Sequence, residues 1–167
     1  TLNAGDVISF VSATTPVTAG TQVIVTGGQI VFPATENPSS NANTLDDYQE
    51  ATWTPSIGGS ATYTTQTGRL TKVGRLVLFQ GYLIINVRGT GSQTVISGLP
   101  FSPEMSTAVT VGYFTASATN ITWLGGYING GQSTINLVST TAAQAAIAAN
   151  NIFQDTTNII FSGQFSV

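Results

Sequence analysis

The sequence contains no cysteine and no histidine. Without cysteine there are no disulfides and no thiolate metal sites, and nothing marks the redox compartment. Without histidine the chain lacks the commonest general base and the commonest zinc ligand. Ser-His-Asp and Cys-His machinery are therefore excluded. Charge is scarce as well: 7% of the 167 residues are charged, against roughly a quarter in an ordinary soluble domain. The net charge is -3 and the pI about 4.4. No basic stripe is long enough to neutralise a phosphate backbone, so no nucleic-acid partner is expected. No apolar run approaches the roughly 18 residues of a transmembrane helix, so no membrane insertion is expected. The opening residues, Thr1-Leu2-Asn3-Ala4, have no charged n-region, no apolar h-region and no initiator Met. They are expected to belong to a processed chain or a fragment, not to a signal peptide. A carboxylate or lysine mechanism would have seven acids and the single Lys72 to draw on. The chain is expected to be no enzyme and to take no cofactor.

What is present points to β-structure. Hydrophobic residues make up 41% of the chain, which is the composition of a globular protein. Thr, Ser, Asn and Gln replace charge as the polar component, and they suit strands and turns. Period-two runs at Asp6–Val11 and Thr21–Thr26, with a short run at Gln29–Phe32, predict an N-terminal β segment. Pro33–Asn43 (PATENPSSNAN) holds two prolines and reads as a linker. Residues 1–43 are thus expected to form an N-terminal β segment and linker, and 44–167 a head domain. In the head, strands are predicted at Thr52–Pro55, Ala61–Thr67, Arg69–Lys72, Leu76–Asn86, Gln93–Ile96, Val109–Phe114, Thr122–Ile128, Thr134–Val138 and Asn158–Val167. Leu76–Ile85 (LVLFQGYLII) is the most apolar run and reads as a central strand buried on both faces. Glycine-rich turns at strand spacing predict an all-β fold, a β-sandwich of jelly-roll-like form or a barrel. Ala-rich Thr141–Asn150 is the one stretch with helical composition, read as a single short helix or an ordered loop.

Several stretches resemble a known family. Asn43-Thr44-Leu45-Asp46-Asp47-Tyr48-Gln49-Glu50-Ala51-Thr52-Trp53-Thr54-Pro55 resembles the "TLDDYEEGTWTP" sequence of phage and prophage tail-fibre and related virion structural proteins. The lead-in Gly28–Thr35 (GQIVFPAT), Tyr63–Arg75 (YTTQTGRLTKVGR), Gly98-Leu99-Pro100-Phe101 and Ile160–Phe165 (IFSGQF) resemble further elements of that family in the same order. The chain departs from the pattern at Gln49, Ala51 and Leu70, which read as turn or surface-like positions. The resemblance implies a place in a virion, at the end of a fibre or spike, and a threefold assembly. It implies no catalytic motif.

Three groups of residues stand out as candidate sites. Asp46, Asp47 and Glu50 form an acidic cluster, open to a cation site, a carboxylate pair or a turn capped by Asp. Arg69, Lys72 and Arg75 hold three of the four basic charges. They read as contacts to an anionic sugar, or as salt-bridge partners of the acidic cluster within or between subunits. Trp123 and Tyr127 lie beside Gly125-Gly126 and Gly130-Gly131 in sequence that reads as loop-rich, where ligand contacts concentrate. The expected function is a non-enzymatic host-recognition module of a tail fibre or spike on the virion surface. The alternative is a capsid decoration, head fibre or tail-assembly protein with no receptor. Expected partners are two further copies in a homotrimer held partly by residues 1–43, other virion proteins, and a bacterial surface glycan or protein.

Overall fold

The computed structural model describes residues 32, 35, 44, 45, 47–115, 117, 120–142, 147, 148 and 151–167. The chain divides into two units, Thr1–Val31 and Phe32–Val167. The first unit lies outside the described residues, and so do the strands expected at Asp6–Val11 and Thr21–Thr26 and nearly all of the Pro33–Asn43 linker.

The second unit has eight strands: β1 (Tyr48–Trp53), β2 (Thr62–Val73), β3 (Leu76–Val87), β4 (Val95–Ile96), β5 (Thr107–Thr115), β6 (Ile121–Ile128), β7 (Ile135–Thr141) and β8 (Asn158–Ser166). They form one sheet in the order β1-β2-β3-β8-β5-β6-β7-β4, and every pairing is antiparallel. The order β8-β5-β6-β7 is a Greek key: three hairpin-linked strands and a fourth that returns beside the first. The all-β expectation holds, with no helix among the described residues. The strands belong to one curled sheet. Its two ends meet where Ser56, just past β1, exchanges hydrogen bonds of 3.0 and 2.7 Å with Ser97, just past β4.

Curling has a local cause. β5 pairs with β6 at only three positions, from Thr107↔Ile128 to Val109↔Gly126, while it follows β8 from Val109 to Thr115. A five-stranded part (β1-β2-β3-β8-β5) and a three-stranded part (β6-β7-β4) are therefore joined at one corner. Bulges mark that corner, at Val111/Tyr113 on β5 and Ile121/Trp123 on β6; such bulges bend a strand and raise its twist. One core serves both parts, with Val77, Leu83, Ile96, Ile128, Ile135, Ile152 and Phe153 fully buried.

Within the five-stranded part, rings lie over glycines of the next strand. Trp53 is directly opposite Gly68, Phe161 opposite Gly81, and Phe79 opposite Gly163. A Cβ at these glycines would fall 2.3 Å from the Trp53 indole, 2.2 Å from Phe161 and 2.6 Å from Phe79. The rings also meet one another, with Trp53–Phe161 centroids at 6.1 Å and Trp53–Phe79 at 6.4 Å, both edge to face. That geometry suits the aromatic quadrupole. Trp53 Nε1 completes the arrangement by donating to the Gln80 carbonyl at 3.2 Å.

Several sequence expectations are corrected here. Ala61–Thr67 and Arg69–Lys72 are one strand, because Gly68 is the seat of a tryptophan and not a break. β1 starts at Tyr48, four residues before the expected strand. Leu70 is buried in the core and not at a surface. Of the Ala-rich stretch, read as a short helix or an ordered loop, Thr141 closes β7 and Ala148 exchanges hydrogen bonds of 2.9 and 3.0 Å with Ser139 in an extended bridge, while 143–146, 149 and 150 lie outside the described residues. β3 is central in its half of the sheet, but its side chains alternate between buried and exposed. The outward side chains are exposed or half-buried in this unit, where burial on both faces was expected.

Candidate functional site

Of the acidic and basic candidates, Asp47 and Lys72 meet as an ion pair, as one reading of the sequence had it. Asp47 precedes β1, and Lys72 faces inward from the paired end of β2. Their side chains are 8% and 3% exposed, and Lys72 Nζ donates to Asp47 Oδ2 at 2.7 Å. The ammonium also stands 6.0 Å from the Phe101 ring centroid, a cation-π contact. The Asp47 carbonyl accepts from Gly74 N–H at 2.8 Å, which fastens β1 to the β2–β3 turn. At that turn Gly74 has φ 54°, the positive value asked of the first central residue of a type II′ hairpin. Arg75 pairs not with the acidic cluster but with Glu104, and its Nε donates to the Val167 carbonyl at 2.8 Å. Glu50 lies on exposed β1, in a strand and not a turn, and accepts from the Tyr48 hydroxyl. That hydrogen bond is the largest cause raising the Tyr48 phenol above its ordinary value. Asp46 lies outside the described residues. Among the described residues no group of three His, Cys, Asp or Glu is placed to hold a metal ion. No helix among them is long and apolar enough to cross a membrane.

The outer face of the five-stranded part carries an open groove. A groove of ≈ 1220 Å³ crosses β1, β2, β3, β8 and β5. Its floor carries hydroxyls and amides, among them Thr71, Gln80, Ser162 and Gln164, with Glu50 and Arg69 as its charges. Arg69 makes no ion pair with a described residue. Beside the groove Tyr82, Ile160 and Tyr113 stand directly opposite one another on β3, β8 and β5. Leu76 and Leu78 lie at the other end of the same face of β3. Leu76, Leu78, Ile160 and Tyr113 are each more than two-fifths exposed.

The third feature is the outer face of β6 and β7. Leu124 and Ile128 point into the core, so Trp123, Gly125 and Tyr127 share the outward side. Both aromatic candidates are therefore on β6, in line with the strand expected at Thr122–Ile128, and the loop-rich reading of Gly125-Gly126 does not hold. Trp123 lies down along β6 with its benzo ring across Gly125, where a Cβ would come within 2.5 Å of it. Opposite on β7 are Thr140, Val138 and Asn136. Thr122 Oγ1 is 3.1 Å from Thr140 Oγ1 beside the indole.

Sequence reasoning missed the groove, whose residues come from five strands far apart in the chain. Alternation in β2 and β3 held the only signal, in the polar Arg69, Thr71 and Gln80 between buried neighbours. The motif elements, by contrast, pack on each other. Trp53 touches Gly68 and Phe161, Lys72 meets Asp47 and faces Phe101, and Gly98 lies where a Cβ would strike the Thr54 carbonyl at 2.3 Å. Comparison with known protein families, curated proteins and solved structures finds no match for this chain.

Proposed function

We propose that this chain is a non-enzymatic virion module, the host-recognition end of a phage tail fibre or spike, working as a homotrimer on the particle surface. One observation carries the reading. β3 has the composition of a strand buried on both faces, yet within the Phe32–Val167 unit the side chains of one face are exposed or half-buried. The open face joins the apolar row Tyr82–Ile160–Tyr113 to a polar groove, the pattern of a surface that another molecule covers. The low charge of the chain supports the same reading, since a surface spent in assembly does not need charge for solubility. The resemblance of the Asn43–Pro55 and Tyr63–Arg75 elements to tail-fibre proteins supplies the virion setting. Glu50 is the one acid among the described residues that line the groove.

Electron microscopy of virions with gold-labelled antibody to this chain tests the proposal. Label at the distal ends of fibres or spikes is the expected result. Label spread over the capsid favours the decoration reading, in which the chain has no receptor. Particles without label contradict both.

A further inference from the structure

We propose that the outer face of β6 and β7 is a binding site for an uncharged oligosaccharide, with the Trp123 indole as its stacking platform. The site deepens the attachment reading, on which it rests for its biological role. Trp123 is 46% exposed although it is held against the sheet. Gly125 provides the seat: any larger residue there would push the ring away. A ring kept down at a surface is preorganised, and its binding loses little rotamer freedom. The C–H face of a pyranose carries slight positive charge, which the negative face of an aromatic ring attracts. The sugar's hydroxyl edge then needs donors and acceptors beside the ring. Thr140 stands directly opposite Trp123, and Asn136 directly opposite Tyr127.

Charge decides the ligand class. From Met105 to Gln154 the sequence has no Asp, Glu, Lys or Arg, and this span includes β5, β6 and β7. β4 carries no charge either. A sulfated, phosphorylated or uronic sugar would lose its hydration here with no counter-charge in return. Trp123 and Tyr127 are four residues apart on one strand, about 13 Å at the usual strand rise. That span suits an oligosaccharide better than a single ring. Tyr127 is also partly exposed and offers a hydroxyl at the far end. The polar groove of the five-stranded part holds both Glu50 and Arg69, so it is a different surface with different chemistry.

The chain carries its own reporter. Trp53 is 7% exposed and Trp123 46%, and there are no other tryptophans, so acrylamide quenches Trp123 selectively. The full chain is titrated with maltohexaose, cellohexaose and a β-galactan hexasaccharide, with a heparin hexasaccharide as charged control. At least one neutral probe is expected to shield the quenchable fraction, and heparin to shield none. Calorimetry on Trp123→Ala, its fold checked by circular dichroism, is expected to show Kd raised about tenfold or more. Tyr127→Ala gives a second, smaller loss that does not depend on the indole. Failure of all three neutral probes overturns the proposal, and so does equal shielding by heparin or unchanged affinity in Trp123→Ala. Sugar binding by a chain absent from fibre ends would sink the attachment reading and leave this site standing.

Discussion

Lys72 is the only lysine of the chain, and it is buried against Asp47 at 2.7 Å. A pair so placed contributes little when both partners are present, because each gave up its hydration to be there. Its removal by halves is another matter. Lys72→Met leaves the Asp47 carboxylate in a site that is 8% exposed without its ammonium. A loss of about 3–5 kcal/mol of unfolding free energy is expected in urea denaturation. Combining it with Asp47→Leu removes the stranded charge, and the double variant is expected to be more stable than Lys72→Met alone. A single variant within about 0.5 kcal/mol of the parent would mean that the pair is effectively solvated. Arg75 and Glu104 form the contrasting case: both are exposed, and such a pair is worth little.

At the scale of elements, the stacking of rings on glycines ties β1, β2, β3 and β8 together. Gly81→Ala places a Cβ against the Phe161 ring, which is itself locked by Trp53. The expected cost is about 1–3 kcal/mol of unfolding free energy, read from the shift of the urea denaturation midpoint. Phe161→Leu in the same chain is expected to recover part of it, because the shorter side chain vacates the space. A Gly81→Ala chain as stable as the parent would show that the ring has room to move. These pairs also explain what was legible in the sequence. Period two gave the strands from Leu76, Thr122 and Asn158 to within a few residues, because one face of each must alternate into the core. Gly68 was misread because glycine inside a strand signals a break unless its ring partner is known, and Trp53 is fifteen positions away. Trp123 and Tyr127 were picked out for their neighbouring glycines. The reason was different from the one assumed: Gly125 seats a ring on a strand and does not open a loop. In the Ala-rich stretch after β7, read as a short helix or an ordered loop, Ala148 pairs with Ser139 in an extended bridge despite its helix propensity.

For the whole molecule, the proposed trimer is assigned to the exposed face of β3, β8 and β5. Burying Leu76, Leu78, Ile160 and Tyr113 is worth on the order of 1.5–3 kcal/mol each, before the cost of association is subtracted. Glu50 and Arg69 lie on the same face. Ile160 is the residue to change, since its neighbours Tyr82 and Tyr113 flank it on both sides and its side chain points away from the core. The direct measurement is the mass of the full chain at micromolar concentration by light scattering, alongside the Ile160→Lys variant. The account predicts three chains for the parent and a shift toward one chain for the variant, with the circular dichroism of both unchanged. A monomeric parent, or an Ile160→Lys chain that assembles as the parent does, would contradict it.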